Sequence, residues 1–171
     1  LEEVLAVEPD YIPALTALAR VYYRAPKSEG LSRQENEREI RLLADRIAEI
    51  DPNSVDALGW KGWFAYLDGS WQEAAHFYEK ALQADSSNFA LLRVVVVFLT
   101  DIGKLDDAIT IGEHLQLRDP NCGTCANNLV NAYQLAGRFR EAVLLMEDLS
   151  HWQARGAGYN WEIGRGWLLA G

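Results

Sequence analysis

Glycine recurs at Gly69, Gly103, Gly137 and Gly171, each 34 residues after the one before. Four more columns keep that step: Ala74, Ala108 and Ala142; the large apolar residues Trp71, Leu105 and Phe139; the acids Glu73, Asp107 and Glu141; and Pro52, Ser86 and Pro120, with serine once replacing proline. Agreement of five columns on one period defines a repeat array, which constrains the fold more than any local propensity. Each column has a physical reason. A glycine after Leu67-Asp68, Asp101-Ile102 and Leu135-Ala136 suits a left-handed residue that stops a helix. Ser70-Trp71-Gln72-Glu73 then reads as a capping box, its acid favoured by the positive end of the helix dipole. Trp71, Ala74, Ala75, Tyr78, Ala81 and Leu82 fall on one helical stripe, repeated by Phe139, Ala142, Val143, Met146 and Leu149. The turns Asp51-Pro52-Asn53 and Asp119-Pro120-Asn121 close the unit, because the residue before proline disfavours helix.

The run Val94-Val95-Val96-Val97-Phe98-Leu99 favours a strand by β-branching alone. The register overrules it: Lys61 to Tyr66 and Leu129 to Gln134 hold the same phase in neighbouring units, both in first helices. A buried helix is therefore expected there. Composition narrows the class further. Over 171 residues the net charge is −9, which argues against nucleic-acid or anionic-membrane surfaces built on clustered Lys and Arg. The valine run is too short to span a bilayer. Two cysteines cannot make the disulfide framework of a small secreted scaffold. No charged-then-apolar leader precedes Leu1, so a cytoplasmic location is the expectation.

These columns together resemble the tetratricopeptide repeat, a pair of antiparallel helices in each unit. The resemblance implies an all-α, right-handed solenoid of stacked helix hairpins and a protein or peptide partner. The units would be 12–54, 55–88, 89–122 and 123–156, with partial units at 1–11 and 157–171. The first unit is nine residues longer than 34, and its excess is placed in an inserted loop near 25–34, at Ala25-Pro26-Lys27-Ser28-Glu29-Gly30. After it, Ser32 can cap a long helix to about Ile50, with Glu37–Arg41 and Arg41–Asp45 pairs on its wet face. Val96, Val130, Ile40 and Gly112 depart from the family's usual residues. The inserted loop, the long second helix and the Asp-Gly-Ser-Trp turn also resemble repeat domains of bacterial winged-helix transcription regulators and class III nucleotide cyclases. The chain is accordingly expected to be a segment of a larger regulatory or signalling protein.

Cys122-Gly123-Thr124-Cys125 is the one motif with a chemical reading. Cys125 falls in the first turn of a helix, where the dipole lowers a thiol pKa, so a redox dithiol or half a zinc site is one reading. Zinc would need two more ligands, and no second Cys pair exists. Two small, reduced, buried side chains in a turn are the favoured reading, since no βαβ context surrounds the motif. His76, His114 and His151 have no recurring acid or serine partner, and Gly156-Ala157-Gly158 and Gly164-Arg165-Gly166 lack a preceding strand. Paired carboxylates for acid–base work are absent. A non-enzymatic protein without cofactor or resident metal is expected.

In a solenoid of this kind the first helices line a concave groove. The register points Thr16, Arg20, Tyr23, Trp63, Tyr66, Arg93, Val97, Asn127, Asn131, Gln134, Trp161 and Arg165 into it. Arginine and aromatic residues are enriched at binding hot spots. Asn127-Asn128-Leu129-Val130-Asn131 resembles the asparagine pattern with which some family members grip a peptide backbone. A peptide-binding groove of Arg20, Tyr23, Trp63, Tyr66, Arg93, Asn127, Asn131, Gln134 and Arg165 is expected. The alternatives are a thiol redox or metal-responsive sensor through Cys122 and Cys125, and a structural spacer or dimerisation arm. Trp161, Ile163, Trp167, Leu168 and Leu169 would make an apolar C-terminal end that favours a weak homodimer.

Overall fold

A computed structural model describes residues 1–24, 32–152 and 169. Residues 25–31 of the expected insertion lie outside the described residues, as does the expected partial unit 157–171 apart from Leu169. The described chain is helical, with no strand among the described residues: α1 (Glu2–Val7), α2 (Ile12–Arg24), α3 (Arg33–Ile50), α4 (Val55–Leu67), α5 (Trp71–Ala84), α6 (Phe89–Asp101), α7 (Leu105–Arg118), α8 (Gly123–Leu135) and α9 (Phe139–Trp152). The valine run lies inside α6, with Val95, Val96 and Phe98 buried. It is a helix, as the register required. Two compact units divide the chain, Leu1–Leu91 and Leu92–Gly171, the division falling within α6.

Two turns alternate, and each copies its hydrogen bonds every 34 residues. After α4, α6 and α8 the backbone reverses at Gly69, Gly103 and Gly137, whose φ angles are 77°, 78° and 73°. The next N–H, on Ser70, Lys104 or Arg138, donates back to the carbonyl of Ala65, Leu99 or Tyr133 at 2.8, 2.9 and 2.8 Å. This six-to-one bond satisfies a carbonyl that the helix end would leave open. The second turn precedes α4, α6 and α8. Asp51, Asp85 and Asp119 each accept from the N–H two residues on, at Asn53, Ser87 and Asn121. Then Ser54, Asn88 and Cys122 accept the N–H of Ala57, Leu91 and Cys125. Proline at the middle of this turn is dispensable, because the aspartate makes the turn without it at Asp85-Ser86-Ser87.

Packing within the first unit centres on small residues. Leu15, Ile47 and Ala57 form one buried cluster, and Ala19, Ile40 and Phe64 another, with Tyr22, Trp60 and Trp63 against it. Ala74, Tyr78 and Ala81 carry the buried side of α5. A methyl added at Gly62 would sit 2.7 Å from the Tyr78 ring, and one at Gly112 would sit 2.9 Å from Leu129. Gly62, Val96 and Val130 follow one another at the 34-residue step, as do Tyr78, Gly112 and Met146.

Three expectations are corrected. Ser70 makes no side-chain cap bond, because the left-handed turn already fixes its backbone and uses its N–H. The capping box forms instead at Ser32, which exchanges bonds with Glu35. The stripe on α5 is narrower than expected, since Trp71 and Ala75 are exposed. The expected pairs along α3 do not form either: Arg41 donates to Asp68, the residue that ends α4, at 2.9 and 3.0 Å, Lys61 pairs with Asp45 at 3.0 Å, and Glu37 pairs with Arg33. Although these side chains stay partly in water, Arg41 and Asp45 take partners across the helix pair and not along α3.

The two kinds of glycine should fail differently. Gly62→Ala is expected to cost about 1–3 kcal/mol by overpacking Tyr78, and Tyr78→Leu in the same chain should relieve part of that cost. Gly103→Ala meets open space, yet should cost about 1–2 kcal/mol through its left-handed backbone. Gly103→Asn should recover much of that loss. Urea denaturation of the four variants, with slopes compared, checks both.

Candidate functional site

In the first unit the outer turns of α2 and α4 bring together a row of aromatic rings. Tyr23, 56% exposed, lies 5.4 Å from Trp60 and 6.4 Å from Trp63 between ring centres. Trp63 meets Tyr66 at 5.4 Å, and Tyr66 meets Trp71 at 5.6 Å, nearly edge-on. Trp60 also stacks on Phe64 at 6.1 Å, which anchors the row to the core. At the near end of α2, Arg20 donates to Asp56 at 2.9 Å, and Thr16 donates to the other oxygen of that carboxylate at 3.4 Å. Of the expected groove residues, Arg20, Tyr23, Trp63 and Tyr66 therefore share one face. Thr16 does not present a free side chain, being buried beneath Asp56.

Trp60, Trp71 and Asp56 belong to this face without having been expected there. The signal was present: four large aromatics, Trp60, Trp63, Tyr66 and Trp71, fall within one short stretch. Trp71 was assigned to the core by its column, but it stands 43% exposed beside Tyr66.

The second unit presents amides. Asn127 and Asn131 are exposed one turn apart on α8, with Gln134 half-buried. Asn128 is spent on structure, donating to the backbone carbonyl of Arg93 at 3.3 Å and tying α8 to α6. Arg93 is half-buried, and among the described residues its Nε has no hydrogen-bond partner. Beside them Tyr133 donates its hydroxyl proton to Glu113 at 2.7 Å, with the Arg138 guanidinium 4.8 Å above its ring. Burial above all, then the Glu113 hydrogen bond, pushes the Tyr133 phenol up to about 12. Trp161 and Arg165 lie outside the described residues.

Cys122 and Cys125 are joined as a disulfide, with their Cα atoms 5.3 Å apart, so the expectation of reduced, packed thiols is corrected. The four-residue spacing at a helix start brings the two side chains together: Cys122 caps α8 through its sulfur, and that same cap points it at Cys125. Cys125 is buried and Cys122 half-buried. Bonded to each other, neither sulfur is a thiolate that zinc could take. Among the described residues no three His, Cys, Asp or Glu side chains converge on a metal-sized site. His76 and His114 are exposed; the side chain of His151 lies outside the described residues.

Residues 122–149 match the tetratricopeptide repeat family. No curated protein matches the sequence. Among solved structures, PilF of Pseudomonas aeruginosa is similar at 18% identity over 91% of this chain and 67% of its own, with a TM-score of 0.72. YrrB, described as a TPR protein with an unusual peptide-binding site, is similar at 14% identity over 98% of this chain and 81% of its own, TM-score 0.68. The TPR domain of Arabidopsis OM64 shares 16% identity over 66% of this chain and 93% of its own, TM-score 0.57. At these identities the likeness establishes the fold, a helical-repeat solenoid of the tetratricopeptide type, and nothing finer.

Two outcomes follow from this geometry. Cys122→Ser keeps an N-cap acceptor while Cys122→Ala removes it, so the serine variant should be more stable by about 0.5–2 kcal/mol although both lack the disulfide. Thermal melts of the two proteins under reducing conditions check this. The Tyr133 phenol titrates near 10 in an unfolded chain and about 12 here, so its stabilisation is full below about pH 10 and lost as pH rises toward 12. Tyr133→Phe should flatten that alkaline fall, read from urea midpoints between about pH 9 and pH 12.

Proposed function

We propose that this chain is a non-enzymatic interaction module that binds a peptide or protein segment. One observation carries the reading: the partly exposed row Tyr23, Trp60, Trp63, Tyr66 and Trp71. Rigid aromatic side chains lose little entropy on binding, and Trp, Tyr and Arg dominate interface hot spots. Burial of this row by a partner would remove apolar rings from water that folding has left partly exposed. In the second unit Asn131 and Gln134 supply amides that can donate to and accept from a peptide backbone. The repeat boundaries 12–54, 55–88, 89–122 and 123–156 belong to the same proposal, as do a larger bacterial regulatory or signalling parent and a cytoplasmic location. Among the described residues no helix is long and apolar enough to cross a membrane.

A second reading has its own observation. The disulfide at the N-terminus of α8 makes Cys122 and Cys125 a two-electron couple, which a cellular dithiol would open with its own oxidation to a disulfide. A reducing cytosol would keep the pair open, so the bonded state and a cytoplasmic location pull against each other. Alkylation of the freshly isolated protein, read by mass, decides which state it holds.

The interaction reading is tested by selecting an unbiased displayed peptide library on the wild-type chain. Selected peptides that seat on the first unit should bind Trp63→Ala at least about tenfold more weakly, and those that seat on the second should lose as much with the Arg93→Ala, Asn131→Ala double variant. Selected peptides that bind all three proteins equally would move the site off these faces.

A further inference from the structure

We infer that the Cys122–Cys125 pair is a thiol–disulfide exchange site and not a structural staple, with Cys122 the sulfur that an incoming thiolate attacks and Cys125 the sulfur that leaves and later re-forms the bond. The inference rests on the redox reading of this pair and assigns the two sulfurs their roles. Three observations carry it.

First, the fold does without the bond. The same turn opens α4 and α6, where Ser54 accepts the N–H of Ala57 and Asn88 that of Leu91, as Cys122 accepts that of Cys125. Asp51, Asp85 and Asp119 brace all three turns alike. No disulfide can form at the first two, yet their helices start at the same place in the repeat. A cross-link restricts the unfolded chain more as the loop it closes lengthens, and this one joins residues only 3 apart in sequence. It is a weak staple, and once it is open Cys122 can cap α8 as its counterparts cap α4 and α6.

Second, the two sulfurs differ in access. Cys125 is 1% exposed, whereas Cys122 is half-buried. The residue after Cys122 is Gly123 where the other two turns carry Val55 and Phe89, so no side chain at that position screens it. An incoming thiolate meets Cys122 first.

Third, the open pair has one sulfur suited to carry charge. Cys122 holds the N-cap of α8, where the Cys125 N–H and the positive end of the helix dipole favour a thiolate. Cys125 is shut away from water, which favours its protonated thiol.

The exchange balances with a dithiol as the reductant. One thiolate of the dithiol attacks Cys122 Sγ, the Cys122–Cys125 bond breaks, and Cys125 leaves with the electron pair and takes up a proton. The second thiol of the dithiol gives up its proton, attacks the sulfur now joined to Cys122, and releases Cys122 as a thiolate. The dithiol ends as a disulfide, and two electrons have passed to this chain. A disulfide partner runs the steps in reverse: Cys122 attacks it, and Cys125 then displaces the partner's thiol as the bond re-forms.

The test uses the 171-residue chain, with dithiothreitol as the dithiol and glutathione disulfide as the disulfide. Dithiothreitol should open the pair in the folded protein and glutathione disulfide should close it again, read by alkylation and mass. Far-UV circular dichroism should be the same in both states. In Cys125→Ser, glutathione disulfide should add one glutathione to Cys122 at least about tenfold faster than it adds one to Cys125 in Cys122→Ser. If either variant loses its fold, the reduced wild type carries the test: brief iodoacetamide treatment and peptide mapping should label Cys122 at least about tenfold ahead of Cys125. Equal rates at the two sulfurs, or a faster rate at Cys125, overturn the inference. Loss of helical signal on reduction also overturns it, because the bond would then be a staple. In either case a pair that opens and closes leaves the redox reading standing. If the pair opens only after urea has unfolded the chain, or never re-forms with glutathione disulfide, the inference and the redox reading fail together.

Discussion

Three residues with positive φ set everything else. Gly69, Gly103 and Gly137 stop one helix and send the following N–H back into it, so the next helix opens without slack. A side chain with Cβ would strain each of these positions even where the surrounding space is empty. A three-residue reversal forces α4 against α5 and α8 against α9. How closely they approach then depends on small residues such as Ala74, Ala81, Ala142 and Gly62. With that depth fixed, the side chains left at the surface of the first helices are also fixed, and these include the aromatic row.

What the sequence revealed was whatever backbone geometry demands of residue identity. The glycine period, the aspartate turns and the helical state of Val94–Leu99 were legible, since only a few residue types satisfy a left-handed turn or a helix start. Choices among chemically equivalent partners were not. Arg41 could pair with an acid on its own helix or on its neighbour, and only packing brings Asp68 within reach. Ser70 shows a limit of the same kind. Its capping-box pattern was real as a string but redundant where the turn had already satisfied the backbone. The disulfide was invisible for another reason: spacing allows the pair to close but does not compel it.

The site was legible in part, and along a physical line. Helical phase on α2 and α4 found Arg20, Tyr23, Trp63 and Tyr66, because a period of 3.6 predicts which residues share a face. It missed Trp60, which stacks on Phe64 and fills the space between core and surface. It also missed Trp71, whose column elsewhere holds a leucine and a phenylalanine. In α8 it found Asn127 and Asn131 but could not separate them from Asn128, which a backbone carbonyl consumes. Trp60 and Trp63 pack on the core around Ala19 and Phe64, while Tyr23 stays exposed beside them.

The central claim is that the row Tyr23, Trp60, Trp63, Tyr66 and Trp71 is a binding surface instead of an overflow of the core. The most direct measurement follows the indole N–H signals of the protein labelled with 15N-tryptophan, assigned by single substitution, as a bound peptide is added. The account requires the Trp60, Trp63 and Trp71 signals to shift together and saturate with one affinity. Saturable peptide binding that leaves these three signals in place would contradict it.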